Sequence, residues 1–483
     1  VHWEGRIVTA EESIMSNDNR RNTWTRRQLL QTGSAAGLGA ALLPSLHAAE
    51  AQISRPNIIW IMADDLGFAD LSLTGQRAFT TPNIDRIAHE GLFLRQSYAN
   101  SAVCSATRTG LITGRYQYRL AVGLEEPIGT GNEQIGLDPQ HPTLPSLLRD
   151  QGYRTSLVGK WHLGLSEHFG PLHSGYQSFY GVPFGAADYF RHSKASGVAR
   201  SGQLYDGSEP SDEEGYLTDL FSRRAVREVE ALKGDRRPLF LSLHFTAPHW
   251  PWEGPEDEAA SVAVGNNLQH RDGGNLETYK RMVLAMDRGV GQVLAAIDRT
   301  HSARNTIVVF TSDNGGERFS DTWPFIGQKG ELLEGGIRVP LCVRWPARIP
   351  RGQRSEQVNI SMDWVPTLLA AAGTRPHPDY PSDGLNLLDV ITGRSAPQPR
   401  RLFWRYKAAT QAALRDGDWK YLKIRAKEYL FNLAADERER ADHAAGEPAR
   451  LSAMKEQWAA WNASMLPYPE KSVAYGNVAA DRY

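Results

Sequence analysis

Four apolar runs recur along the chain, each followed closely by polar or charged side chains: 57–63, 153–158, 238–245 and 305–310. The first, Asn57-Ile58-Ile59-Trp60-Ile61-Met62-Ala63, shows no period-two alternation and is too short for an ordinary helix, which predicts a strand buried on both faces. Helical signals lie between and beyond the runs. Thr81 precedes Pro82 as an N-cap and Gly91 ends that helix, and 144–151 stops before Gly152. Leu217, Leu220, Phe221, Val229 and Leu232 share one helical face, and Tyr279, Met282, Val283, Met286, Val290 and Val293 share another within 276–297. A further helix starts over 361–370 with Asp363 near its amino end. Strands alternating with helices predict an α/β fold, a large mixed sheet sandwiched by helices.

A tight turn at 334–340 leads into a fifth strand that contains Cys342, and Glu334 in that turn reads as structural. The Pro/Gly/Asp-rich stretch 373–384 marks a boundary. Beyond it, 401–406, 412–415, 419–424 and 428–432 alternate like antiparallel strands, and 451–461 closes the chain as a helix. The expected organisation is an N-terminal extension with a signal over 1–51, a catalytic α/β domain over 52–380, and a smaller C-terminal antiparallel sheet plus helix over 385–483. Two polar stretches, 183–215 and 252–274, read as loops. The first, with Tyr189, Arg191, His192 and Lys194, is either a substrate-selecting lid or a solvated loop without a role.

At 483 residues the chain exceeds one ordinary core, and 41% hydrophobic residues with 13 tryptophans supply a large interior. A net charge of −1 gives no basic surplus for nucleic acid. The two cysteines cannot build a disulfide framework, and Cys342 in its apolar run reads as inert core. At the N-terminal end, Arg26-Arg27 leads into a modest apolar stretch, 33–43, with small residues at 49–51. This predicts a Tat export signal, hence a partner in the Tat machinery and a periplasmic or secreted bacterial location. Residues 1–14 are polar and precede Met15, an alternative start.

The polar residues after the runs are where ligands gather in open α/β sheets, outside the carboxyl ends of strands. Asp64 and Asp65 follow the first run, Lys160 and His162 the second, His249 between Pro248 and Pro251 the third, and Asp313 and Asn314 the fourth. Asp64, Asp65, Asp313 and Asn314 together offer an all-oxygen shell that suits Ca²⁺ or Mg²⁺ and not zinc. Taken singly, an aspartate there is as well explained by capping or solvation. Cys104-Ser105-Ala106-Thr107-Arg108 runs on into 109–114, where a helix is expected with its positive end toward Cys104. Cys104 is the candidate nucleophile.

In order, Asp64-Asp65, Cys104 to Arg108, Gly159-Lys160-Trp161-His162, Pro248-His249-Trp250-Pro251, Asp313-Asn314-Gly315, Gly327-Gln328-Lys329-Gly330 and Glu334-Gly335-Gly336 resemble the sulfatase family, a branch of the alkaline phosphatase superfamily, over about 55–431. The resemblance implies a sulfuric ester hydrolase with an alkaline-phosphatase-like fold. It implies Ca²⁺ in preference to Mg²⁺, held by Asp64, Asp65, Asp313, Asn314 and residue 104. It also implies oxidation of Cys104 to formylglycine (3-oxoalanine) by a separate maturation enzyme. Arg108, Lys160 and Lys329 would neutralise the sulfate, His249 or Lys329 would protonate the leaving alcohol, and His162 would take a proton from the hydrated aldehyde. Arg108 stays charged and would steady the carboxylates.

Ala106 and Thr107 stand where the commonest form of the family motif has proline and serine, which narrows the maturation systems that can act. If Cys104 stays a thiol, the expected protein is an inactive binder of sulfated glycans. A phosphate or phosphonate ester hydrolase on the same scaffold is the other alternative, and it would reward a second metal. Residues 161–189 look most like the branch holding arylsulfatases and N-acetylgalactosamine-6-sulfatases, which implies a sulfated small molecule or saccharide as substrate.

Overall fold

The computed structural model describes residues 55–129, 134–197, 202–265, 273–470 and 474–475; the twin-arginine segment and the rest of 1–54 lie outside the described residues. The order across the principal sheet is Gln353–Ser355, Leu92–Leu94, Leu341–Arg344, Thr306–Ser312, Asn57–Ala63, Leu239–His244, Arg154–Lys160, Ser178–Val182, Tyr205–Asp206 and Glu209–Pro210. Asn57–Ala63 pairs in parallel with Leu239–His244 and Thr306–Ser312, and Arg154–Lys160 pairs in parallel with Leu239–His244 and Ser178–Val182. Leu341–Arg344 runs antiparallel to Thr306–Ser312, so the sheet is mixed. The parallel strands all deliver their carboxyl ends to one edge, with Ala63 opposite Ser312 and His244 opposite both Met62 and Gly159.

The central strand shows why an unbroken apolar run is needed. Ile59, Ile61 and Ala63 point into a core shared with the helices Pro82–His89, Leu217–Glu230 and Leu276–Arg299. Ile58, Trp60 and Met62 point the other way, onto Leu144–Asp150 and Trp364–Ala371. A second sheet of Arg401–Tyr406, Gln411–Asp416, Trp419–Ile424 and Lys427–Asn432 is fully antiparallel. Its Leu402, Trp404, Ala413 and Leu422 share a buried cluster with Val103 and Ala106, so the small sheet packs directly on the Cys104 segment. Helix Pro448–Ala463 lies on the far side of this sheet, Met454 packing on Ala412 and Leu414. Residues 53–483 form one compact unit, and no helix among the described residues is long and apolar enough to cross a membrane.

Several expectations require correction. The helix of the Cys104 segment begins at Cys104 itself and not at Thr109, running Cys104–Thr113. Val103 is an extended residue without a capping side chain, so no sequence signal marks that start. The turn at 334–340 contains one helical turn, Glu334–Ile337. The loop 252–274 holds the helix Glu258–Val264. The stretch 183–215 is not structureless either: Tyr205–Asp206 and Glu209–Pro210 form a hairpin that extends the principal sheet past Ser178–Val182. Lys160 is the last residue of its strand and does not follow it.

Candidate active site

Two neighbouring strand ends bring the carboxylates together. The Asp313 N–H donates to Ala63 O (3.2 Å) and the Asp64 N–H to Ala247 O (3.1 Å), which stitches the first residues beyond three strands into one layer. Asp65 then turns back with φ 63°, a left-handed conformation that aspartate tolerates better than most residues, and its N–H donates to Asp313 Oδ1 (3.3 Å). One carboxylate oxygen from each of Asp64, Asp65 and Asp313 lies within 4.8 Å of the others. Asn314 Nδ2 donates to Asp65 Oδ1 (2.7 Å) and to Gly315 O (2.9 Å).

The Cys104 helix meets this layer end-on. Cys104 and Arg108 stand one turn apart on the same helical face. Arg108 donates from Nε and Nη2 to Asp313 Oδ2 (3.1 and 2.8 Å) and from Nη1 to Lys160 O (3.1 Å). Gly110 lets this helix approach closely, since a Cβ there would sit 2.3 Å from Asn100 Nδ2. A Cys104 Sγ, an Asp64 oxygen and a His249 ring nitrogen lie within 4.8 Å of one another, which puts the sulfur beside the carboxylate cluster. Burial pushes the Cys104 thiol up to about 11 despite Lys160 and Lys329 nearby, so the unmodified side chain stays a neutral thiol and a weak nucleophile.

Lys160 Nζ donates to Asp64 Oδ2 (2.5 Å), and Lys329 Nζ donates to Asp65 Oδ2 (2.6 Å). Burial opposes a charge on Lys329, but Asp65 and Glu317 outweigh it and hold the ammonium well above the usual lysine range. Burial together with the lysines holds His162 and His249 well below the usual histidine range, so both rings are neutral. His249 Nδ1 lies 2.6 Å from the Trp250 carbonyl, which assigns the proton to Nδ1 and leaves Nε2 bare, 3.5 Å from Asp65 Oδ2. His162, at φ 60°, has the opposite tautomer: Nε2 donates to Ile128 O (3.1 Å) and Nδ1 is bare. All the residues singled out from the sequence therefore stand around one buried cup: Asp64, Asp65, Cys104, Arg108, Lys160, His162, His249, Asp313, Asn314 and Lys329.

The donor set fits a hard divalent cation. Asp64 Oδ1 and Asn314 Oδ1 are buried without a hydrogen-bond partner among the described residues, an arrangement that costs free energy unless something electropositive fills it. Burial, ahead of repulsion from Asp313, holds Asp64 well above the usual carboxylate range, and burial raises Asp65 to about 6. Asp313 feels the same burial, but Arg108 and Lys160 win and hold it low. Oxygen donors without thiolate suit Ca²⁺ or Mg²⁺.

Three participants escaped sequence reading. His244 ends its strand with Nδ1 3.2 Å from Lys160 O and 3.4 Å from Arg108 Nη1. Its position, polar at the end of an apolar run, is the same signal that marked Lys160. Glu317 Oε2 is 3.8 Å from Lys329 Nζ, and the Tyr475 ring centroid is 4.7 Å from the same nitrogen. Neither has a local sequence signature. Glu334 is confirmed outside the cup, buried against Lys420, Arg338 and Tyr98.

Known proteins are similar to this chain in sequence and fold. The family model described as Sulfatase matches residues 56–374. The chain is 32% identical over 419 residues to the N-acetylgalactosamine-6-sulfatase of Canis lupus familiaris, covering 81% of this chain and 74% of that protein. It is 28% identical over 483 residues to arylsulfatase J of Mus musculus, covering 88% and 79% respectively. The crystal structure of Ps i-CgsB in complex with k-i-k-neocarrahexaose aligns at TM-score 0.78 with 31% identity, covering 87% of this chain and 95% of that one. A phosphonate monoester hydrolase of Agrobacterium radiobacter, at TM-score 0.58 and 20% identity over 85% of this chain and 96% of its own, shares the fold.

Proposed function

Because the chain belongs to the sulfatase family, and is thus a sulfuric ester hydrolase, we propose that it cleaves sulfate monoesters on a sulfated sugar or polysaccharide, using formylglycine made from Cys104 and a Ca²⁺ held by Asp64, Asp65, Asp313 and Asn314. The observation that carries this reading is the charge pattern of the cup. Asp64, Asp65 and Asp313 are paired with Arg108, Lys160 and Lys329, while Asp64 Oδ1 and Asn314 Oδ1 have no hydrogen-bond partner among the described residues. A divalent ion seated there would add two positive charges and suit the cup to a sulfate ester. A saccharide substrate is supported by the neocarrahexaose on Ps i-CgsB and by the name of the canine relative.

When present, formylglycine supplies a geminal pair of hydroxyls, one for attack on sulfur and one for release of sulfate, and Ca²⁺ supplies positive charge. The chain's own residues do the rest. Arg108 fixes Asp313 and the first turn of the Cys104 helix, and the Lys160 and Lys329 ammonium groups offset charge on the transferring sulfuryl oxygens. His162 Nδ1, bare because Nε2 is engaged by Ile128 O, has the lone pair needed to accept a proton at residue 104. His249 Nε2 carries a free lone pair, and a bound sulfate would supply the negative charge that lets it take up a proton and deliver it to the leaving alcohol.

The test uses protein co-expressed with a formylglycine-generating enzyme, with the state of residue 104 verified by peptide mass spectrometry. Paired assays on aryl sulfate and aryl phosphate should favour the sulfate. Faster phosphate turnover would move the protein to the phosphate or phosphonate reading, and no turnover with residue 104 still a thiol would support the glycan-binder reading. A screen over sulfated saccharides then identifies the sugar. The Arg26-Arg27 signal supports Tat export to the periplasm, checked by whether Arg26→Lys with Arg27→Lys leaves the protein in the cytoplasm.

A further inference from the structure

A short C-terminal strap crosses beside the cup. Ala474 bridges to Glu126, the Tyr475 N–H donates to Glu126 O (2.5 Å), and Tyr406 donates from its hydroxyl to Tyr475 O (2.8 Å). Glu126 is itself buried and held from other directions, accepting from the Tyr468 hydroxyl (2.5 Å) and the Lys407 N–H (2.7 Å). The strap lies against the backbone that follows Lys329, since a Cβ on Gly330 would stand 3.5 Å from Tyr475 O. Tyr475 then makes two contacts with the cup. Its ring faces the Lys329 ammonium at 4.7 Å, and its hydroxyl donates to Glu317 Oε1.

We infer that Glu317, oriented by Tyr475 of the C-terminal strap, is a positioning residue that offers Lys329 a second acceptor when a cation takes Asp65. The inference rests on the sulfatase reading for the importance of Lys329. Tyr475 occupies one oxygen of Glu317, and the other, Oε2, is buried without a hydrogen-bond partner among the described residues, 3.8 Å from Lys329 Nζ. Lys329 has three N–H donors, and its short bond at 2.6 Å goes to Asp65 Oδ2. A cation in the carboxylate cluster competes for that same carboxylate. Glu317 Oε2 is the acceptor to which the ammonium can shift, and the aromatic face of Tyr475 keeps it in reach. Without Glu317 the ammonium would stay clamped on Asp65, against the cation and away from the substrate.

The experiment compares wild type, Glu317→Gln, Tyr475→Phe and Tyr475→Leu, all with verified formylglycine. Loss of a charge-assisted contact predicts that Glu317→Gln and Tyr475→Leu lower kcat about 10-fold or more with KM changed less than about 3-fold, and that Tyr475→Phe, which keeps the ring, recovers part of the loss. Ca²⁺ affinity by calorimetry should fall several-fold in Glu317→Gln, and crystals of Tyr475→Leu should show Glu317 turned away from Lys329. A raised KM at constant kcat would make the strap a substrate wall, and unchanged kinetics, Ca²⁺ affinity and Lys329 position would end the inference. If wild-type protein hydrolyses no sulfate ester, the functional reading fails, while the calorimetric and crystallographic arms still decide whether Tyr475 and Glu317 position Lys329.

Discussion

Arg108 places two N–H groups on a single oxygen of Asp313, Nε at 3.1 Å and Nη2 at 2.8 Å, with both side chains out of reach of solvent. The other oxygen, Oδ1, is left for the Asp65 N–H and for a cation. Arg108→Ala strands a buried carboxylate, and the expected cost is about 3–5 kcal/mol of stability together with loss of turnover. Arg108→Lys keeps the charge but cannot serve Asp313 twice and Lys160 O once. Denaturant melts and rates on an aryl sulfate check both.

Cys104 separates chemistry from folding. The side chain is small and buried at a helix start, so Cys104→Ala should cost only about 1 kcal/mol while removing the thiol that the proposed maturation would oxidise. Turnover should fall by on the order of 10³ or more, with the thermal midpoint nearly unchanged.

Cation binding should depend on pH through Asp65. Burial raises this carboxyl to about 6, so below that pH a proton competes for the oxygens that the proposed Ca²⁺ would take. The Ca²⁺-induced rise in thermal midpoint should be complete above pH 7 and shrink as pH falls through 6. Chelation at pH 7.5 should lower the midpoint, with recovery on adding Ca²⁺ and weaker recovery with Mg²⁺, whose octahedral demands a carboxylate cluster meets less readily.

Glu126 carries a pH dependence of stability. Burial raises it to about 8, against 4.5 for the exposed group. Below 4.5 both folded and unfolded chains hold the proton. Between 4.5 and 8 the unfolded chain releases it and the folded chain keeps it, so stability falls as pH rises, by at most about 1.4 kcal/mol per unit, and the loss is complete above 8. Glu126→Gln should flatten the difference between melts at pH 5 and pH 8.

Lys420 offers the contrasting case of a buried charge whose partners, Leu332 O, Glu334 and Glu439, are not residues of the cup. It stands 2.9 Å from Glu334 and 2.8 Å from Glu439, all three side chains fully buried. Lys420→Met removes the cation shared by two buried carboxylates, Glu334 keeping Arg338 and the Tyr98 hydroxyl and Glu439 keeping the Glu334 N–H, with an expected loss of about 3 kcal/mol, while kcat of the protein that remains folded should hold.

What could be read in advance follows from the range of the forces involved. Asp64, His249 and Asp313 follow apolar strands and Lys160 ends a strand that opens with the polar Arg154-Thr155-Ser156, and a parallel sheet delivers such ends to one edge, so local patterning carries most of the cup. Strands of three residues such as Leu92–Leu94 and Gln353–Ser355 are too short for a period to register. The helix start at Cys104 escaped because Val103 caps nothing, its place being set by packing of Ala106 against the small sheet. Glu317 and Tyr475 are 158 positions apart, and only the closed fold makes them partners.

If Lys329 relies on Tyr475 as inferred, a practical corollary follows for anyone preparing this protein. Proteolytic clipping around position 470 would spare both sheets and every carboxylate of the cup, while removing Tyr475. Such material would elute close to intact enzyme, and intact-mass measurement of each batch would be the way to tell a sluggish preparation from a sluggish catalyst.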